Sequence, residues 1–375
     1  MLSDEYPDLH TESGSGMSAE SAPRGEAPEA EGRLPVLADV AQLAGVSQQT
    51  VSRVVRGSPS VARRTRERVE AAIAELGYRP NIAARTLVTR RSHRIGVVAA
   101  DTSLYGAATT LAGIQEAARA EGYAVSLVML PDLSAAGIST ALEELRAQYV
   151  DGAIAVVPQD AAQDAVRAAD AAFPCVLAPG LDGAGVPDAY WAEVAAAREA
   201  THHLLDLGHP TVHHVAGPPD WAESRARATG WRTALVERLR VVPRPVRGDW
   251  SAQSGYTAVG DLPLEEVSAL FVGNDQMAAG VLRALADRGR RVPDEVSVVG
   301  FDDVPEARFY FPPLTTVHQD FTEIGWRCVR VLLGRLHDRV VEPGPVTSTL
   351  VVRSSTAPPP APRVAGRPGD QALRG

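Results

Sequence analysis

Lysine does not occur anywhere in the 375 residues, so all 37 basic side chains are arginine, a bias that fits genomic codon usage better than chemistry. Cysteine is nearly as scarce. Cys175 and Cys328 stand far apart with no CxxC pairing, which argues for two buried free thiols in a reducing compartment rather than a disulfide or a thiol metal site. No apolar run approaches the ~18 residues a membrane helix needs. The opening "MLSDEYPDLHTESGSGMSAE" has neither a basic start nor an apolar block, so it does not read as a secretory signal. There is no GxGxxG loop and no P-loop, hence no sign of a bound nucleotide cofactor. The histidine pairs His202–His203 and His213–His214 point to opposite faces of a helix and of a strand, so no metal is expected.

What is present is divided by charge. Residues 1–33 carry eight acids against Arg24 and Arg33, net −6. Residues 34–94 carry eleven arginines against Asp39, Glu67, Glu70 and Glu75, net +7, and residues 95–375 are net −10. A basic module on an acidic body is the footprint of a polyanion binder whose larger part has another task.

Composition and periodicity divide the chain further. Residues 1–33 lack an apolar period and read as a disordered acidic extension. Residues 34–80 read as three helices and residues 81–94 as a link. Residues 95–353 alternate short β runs with Ala/Leu-rich helical stretches, and residues 354–375 form a Pro/Gly-rich tail, disordered or extended. The runs "RIGVVAA", "AVSLVML", "DGAIAVV" and "CVLAP" make one βα block; "TVHHVAG", "RPVRGDW", "ALFVGND" and "VSVVGFDD" make a second. Two such blocks predict an α/β core of two parallel-sheet halves.

The stretch "VLADVAQLAGVSQQTVSRVV", residues 36–55, carries the sharpest pattern. Val40, Ala41, Leu43 and Ala44 give a first helix its apolar side, and Gly45 breaks it where positive φ is needed. Val46 fills the angle, and Ser47 is placed to cap a second helix that buries Val51, Val54 and Val55. Gln48, Gln49, Ser52 and Arg53 are left outward. This is a helix-turn-helix pattern, and Gln and Arg are the side chains that bond base edges bidentately.

With "ELGYRPN", "GNDQMAAGVLRAL", "VSVVGFDD" and "PPLTTVHQDF" in order behind it, the chain over residues 36–353 resembles the lactose-repressor/galactose-repressor family, nearest its lactose-repressor branch. The resemblance implies a small all-α helix-turn-helix headpiece on a two-lobed core of the periplasmic-binding-protein type. It implies a homodimeric, cytoplasmic regulator on double-stranded operator DNA, with no membrane partner, no cofactor and no catalysis. Gln48, Gln49 and Arg53 then match base-reading positions and Ser47 and Thr50 phosphate contacts, while Leu37 and Asn81 lie at DNA-contacting positions. Leu87, in "NIAARTLV", matches the hinge-helix residue that wedges into the minor groove. A hinge of roughly eight residues is too short to be helical alone, so it should fold on DNA.

The body offers sugar chemistry at its strand ends: Trp250, Asn274, Asp275, Asp302 and Asp303, with Arg227 as a bidentate fork. By the resemblance, Arg227, Asn274 and Asp302 would bond sugar hydroxyls and Trp250 and Phe321 would pack on the ring. Gln319 would lie near the cleft and Leu104 would line it from the other half. The lesser alternative makes Asn274 and Asp302 strand-end caps and Trp250 plain core; Trp221 is a weaker, rim candidate. After "CVLA", where sugar-binding relatives place an acid, this chain has Pro179, with Asp182 three residues on. A β-galactoside is the first expectation for the effector and a β-glucoside the second. A sugar-transport protein would share the body but not the helix-turn-helix, and a glycosidase would need two carboxylates flanking one bond. By the resemblance, a tetramer would need a C-terminal leucine-heptad helix, which the prolines of the tail disfavour, so a dimer is expected.

Overall fold

A computed structural model describes residues 34–55, 57–79, 91–100, 103–130, 134–157, 159–170, 173–178, 188–339, 341 and 347–360. The acidic extension, Asn81, Leu87, Pro179 and Asp182 lie outside the described residues. The chain divides into two compact units, Met1–Ile82 and Ala83–Gly375.

The first unit holds α1 (Leu37–Ala44), α2 (Gln48–Val55) and α3 (Arg63–Leu76). Gly45 closes α1 at φ 62°, where a side chain would be strained, and Val46 N donates to Ala41 O at 3.0 Å. Ser47 then caps α2, its Oγ accepting from Thr50 N at 3.2 Å. The three helices meet over Val40, Ala41, Ala44, Val51, Val54 and Val69, with Tyr78 closing the end. Val46 and Val55 are half-buried against this core.

The second unit has two lobes. The first lobe's sheet runs β2-β1-β3-β4, all parallel: β1 (Arg94–Ala99), β2 (Ala124–Met129), β3 (Gly152–Val156) and β4 (Cys175–Leu177). Its intervening helices are α4 (Tyr105–Ala120), α5 (Ala135–Ala147) and α6 (Asp160–Asp170). The second lobe opens with α7 (Asp188–Asp206) and contains β5 (His213–Ala216), α8 (Ala222–Glu237), β6 (Val246–Arg247) and α9 (Ala252–Ala258). It continues through β7 (Ala269–Val272), α10 (Asp275–Asp287), β8 (Ser297–Asp302) and β9 (Thr315–Gln319). Continuous burial along β7 and β8 reflects helices on both faces of a parallel sheet.

Three features depart from the sequence expectation. The second sheet, β10-β9-β8-β7-β5-β6, gains two strands outside the predicted runs, and its edge strand β10 (Ser348–Val351) is antiparallel to β9. The lobes are also not successive blocks. Helix α11 (Phe321–Leu336) follows β9 of the second lobe yet packs on the first, placing Ile324, Cys328, Val329 and Leu332 against Ile95 and Ile154. Two glycines make this docking tight: a Cβ at Gly113 would strike the Thr322 backbone, and one at Gly325 would strike Ile114 N. Finally, residues 354–360 are not a loose tail. Ser355 is fully buried, its Oγ accepting from Thr315 N at 2.7 Å and donating to Val298 O at 2.6 Å, while its carbonyl accepts from Val298 N at 2.8 Å. The short polar side chain completes the bonding of β8 and β9, which the Pro/Gly-rich composition concealed.

Cys175 and Cys328 are both free and buried in the first lobe, and burial pushes the Cys328 thiol up to about 12. Among the described residues no helix is long and apolar enough to cross a membrane.

Candidate functional site

On the headpiece, Ser47, Gln48, Gln49 and Arg53 are exposed and Thr50 is half-buried, while Val51 and Val54 of the same helix are buried. The outward side of α2 is therefore the polar, hydrogen-bonding side. Ser47 Oγ and Thr50 Oγ1 lie 2.9 Å apart, so each orients the other's hydroxyl. Leu37 is half-buried and packs on the headpiece core, which leaves its place in the first turn of α1 as the feature available to DNA.

Between the lobes of the second unit lies a cavity of about 710 Å³. Leu104 and Phe321 line it from the first lobe's side; Arg227, Trp250, Asn274 and Asp302 line it from the second. Phe321 is held edge-on to Tyr105, with ring centroids 5.7 Å apart. Trp250 reaches its place through a left-handed backbone, φ 74°, and lies across Gly217, where any Cβ would collide with the indole. Trp221 lines the same cavity and tilts against Trp250 at 5.5 Å.

Arg227 is committed differently from the sequence expectation. Its Nε donates to Glu193 Oε2 at 2.7 Å, Nη1 to Gly273 O at 2.6 Å, and Nη2 to Gln319 Oε1 at 3.1 Å and Glu193 Oε1 at 3.5 Å. The guanidinium also sits 3.9 Å over the Phe301 ring. It is thus no open fork but a hub tying α8 to α7, β7 and β9. The Glu193, Asp302 and Glu223 charges raise its pKa against the desolvation that lowers it. Only the second Nη1 hydrogen is uncommitted. Asp302 Oδ1 stands 3.2 Å from that nitrogen, yet accepts no hydrogen bond. Burial pushes the Asp302 carboxyl up to about 7 despite Arg227 beside it.

Four other candidate residues are placed as follows. Gln319 does not line the cavity; it is buried behind Arg227, with Nε2 donating to Glu193 Oε1 at 2.5 Å. Asn274 lines the cavity and also has a structural task, which leaves one Nδ2 hydrogen uncommitted. Its Oδ1 caps α10 by accepting from Met277 N at 2.9 Å, and its Nδ2 donates to Trp250 O at 3.2 Å. Asp275 and Asp303 are also structural. Asp275 accepts from Thr316 Oγ1 at 2.6 Å and Val304 N at 2.9 Å, and Asp303 pairs with Arg353 at 2.6 Å.

Sequence reasoning missed Glu193 and Glu223. Both line the cavity, and an acid in a helix's first turns reads from sequence only as a dipole partner. The histidines are structural: His202 pairs with Glu237 at 2.9 Å, and His214 stacks on Phe271 at 4.8 Å. Burial lowers the His214 pKa to about 4. Among the described residues no cluster of His, Cys, Asp and Glu is fit to hold a metal ion.

A helix-turn-helix unit and a two-lobed cleft on one chain direct the comparison with known proteins. Residues 36–81 match the family described as bacterial regulatory proteins, lacI family, and residues 201–356 match a periplasmic binding protein-like domain. The chain is 37% identical to the lactose operon repressor of Escherichia coli (strain K12), over 85% of its own length and 90% of that protein's. The chain belongs to the LacI family of bacterial regulatory proteins. A second relative, the HTH-type transcriptional regulator CelR of Thermobifida fusca, is 35% identical over 83% of this chain and 94% of its own. Among solved structures, the lac repressor dimer bound to operator and the anti-inducer ONPF superposes with a TM-score of 0.78 at 36% identity, covering 87% of this chain and all of that one. A CelR–cellobiose complex gives 0.62 at 31% identity, covering 86% and 99%. LacI-family membership makes this chain a DNA-binding regulator of transcription whose relatives are repressors.

Proposed function

We propose that this LacI-family chain represses transcription as a cytoplasmic homodimer on a two-fold operator and is released by a neutral sugar. Gln48, Gln49 and Arg53 read base edges, Ser47, Thr50 and the first turn of α1 at Leu37 hold phosphates, and Asn81 and Leu87 complete the contact. The observation that carries the effector half is the pairing of Arg227 and Asp302 at the cavity wall. One Nη1 hydrogen and Asp302 Oδ1 lie side by side, ion-paired at 3.2 Å but without a well-aligned hydrogen bond between them. A hydroxyl accepts from the first and donates to the second, which a sugar does without change of charge. Trp250 and Phe321 supply aromatic surface for the ring, and Leu104 closes the far side. A CelR relative at 31% identity was solved with cellobiose, and a lac repressor at 35% identity was solved with ONPG in its repressed state, so relatives of this chain hold glycosides, and whether a given one releases operator is for titration to decide.

The test is an operator-release titration of the purified chain against disaccharides and nucleobases. Release by a sugar supports the proposal; release only by a nucleobase contradicts it.

A further inference from the structure

Glu223 occupies the first turn of α8, one helical turn before Arg227, and lines the cavity. Its Oε2 is buried and has no hydrogen-bond partner. Arg227 does not serve it, because that guanidinium is spent on Glu193, Gly273 O and Gln319. Burial and the neighbouring Glu193 charge push the Glu223 carboxyl up to about 7, although a helix N-terminus ordinarily favours a carboxylate. The charges of Arg227 and Arg225 offset this only in part, and an acid oxygen left without a donor in a cavity wall costs stability unless a ligand supplies one.

A second orphan on the same wall narrows the ligand. Trp250 Nε1, on a side chain only 4% exposed, is a buried donor with no acceptor. Glu223 Oε2 and Asp302 Oδ1 are acceptors without donors. An ammonium would satisfy the acceptors and leave the indole unserved. Hydroxyl groups serve all three, since each both donates and accepts.

We propose that Glu223, as a carboxylate, takes a hydroxyl hydrogen of a neutral polyol effector and so sets effector specificity. This rests on the sugar-effector reading above and adds to it a residue with a pH signature. The charged groups lining the cavity around Glu223 are Glu193 on α7, Arg225 and Arg227 on α8, Asp302 on β8, and Arg167 on α6, itself paired with Asp164 at 2.8 Å. Protonation of Glu223 competes with the effector, so binding tightens as pH rises through 7.

The experiment is a tryptophan-fluorescence titration of the full chain with lactose, isopropyl thiogalactoside, cellobiose and glucosamine at pH 6 and pH 8. Wild type is compared with Glu223→Gln and Glu223→Ala. A neutral sugar should bind Glu223→Gln about tenfold more weakly than wild type at pH 8 and within about twofold of it at pH 6, where wild-type Glu223 is itself mostly neutral. Any titration of Asp302 affects both proteins alike and drops out of this ratio. Equal ratios at the two pH values overturn the assignment, as does binding of the glucosamine cation alone. Failure of all four probes to bind wild type overturns it together with the sugar reading. A sugar that binds with the Glu223 signature but leaves operator affinity unchanged sinks the release reading alone.

Discussion

Arg227 Nε and Glu193 Oε2 meet at 2.7 Å with side chains only 6% and 11% exposed, joining α8 to α7 across the floor of the cleft. Breaking such a buried pair strands a charge and costs about 3–5 kcal/mol. Arg227→Ala should therefore lower the melting temperature as well as abolish release, while still binding operator below its melting point. Asp302→Asn removes the carboxylate charge beside Arg227 and one of its two oxygen acceptors, and leaves the Arg227–Glu193 pair in place. It should melt near the wild-type temperature yet need at least tenfold more sugar for release. Release at the wild-type concentration by Asp302→Asn would remove the Arg227–Asp302 hydroxyl site.

The C-terminal strap gives a stability test that does not involve any ligand. Truncation after Ser354 keeps Arg353, deletes Ser355 and leaves the bonding groups of Val298 and Thr315 without their partner, at a cost of about 2–4 kcal/mol. Ending the chain after Pro360 keeps those bonds. Urea unfolding should show the first truncation strongly destabilised and the second close to wild type.

On the DNA side, Arg53→Ala should relax sequence preference at one base pair in each half-site, losing about 1–3 kcal/mol of discrimination. Leu87→Ala should weaken specific binding while sparing most of the salt-dependent non-specific binding. Anisotropy titrations with operator and scrambled duplexes separate the two effects. Unchanged operator affinity in Leu87→Ala would dismiss the minor-groove wedge.

Light scattering at micromolar concentration should give the mass of two chains. One helix-turn-helix reads too few base pairs, and two-fold operators mirror two-fold proteins. A monomer or a tetramer would contradict this.

The headpiece was legible because its signals are local: Gly45 at positive φ, Ser47 capping three residues ahead, and Val51 and Val54 on one helical face. The parallel strands were legible as short apolar runs. The polar wiring of the cleft was not. Glu193 reaches Arg227 across 34 residues of chain and Gln319 reaches it across 92, and neither separation leaves a periodicity to read. A cap and a binding amide use the same residue type, so the Asn274 bond to Met277 N could not be read from sequence. The return of α11 to the first lobe depends on tertiary contacts of Ile324 and Cys328 with β1 and β3, far earlier in the chain.

The central claim is that cleft and headpiece oppose each other through one coupling free energy, which is reciprocal: a sugar that weakens operator binding must itself be bound more weakly on operator. The direct measurement is fluorescence anisotropy of labelled operator on the full-length chain, titrated with lactose, isopropyl thiogalactoside and cellobiose while tryptophan emission is followed in the same cuvette. Anisotropy should fall in a saturable curve, with the emission change at matching concentrations and the sugar's own affinity reduced by the same factor when operator is in excess. A rise in anisotropy would make the sugar a corepressor, and an emission change with constant anisotropy would break the link between the two units.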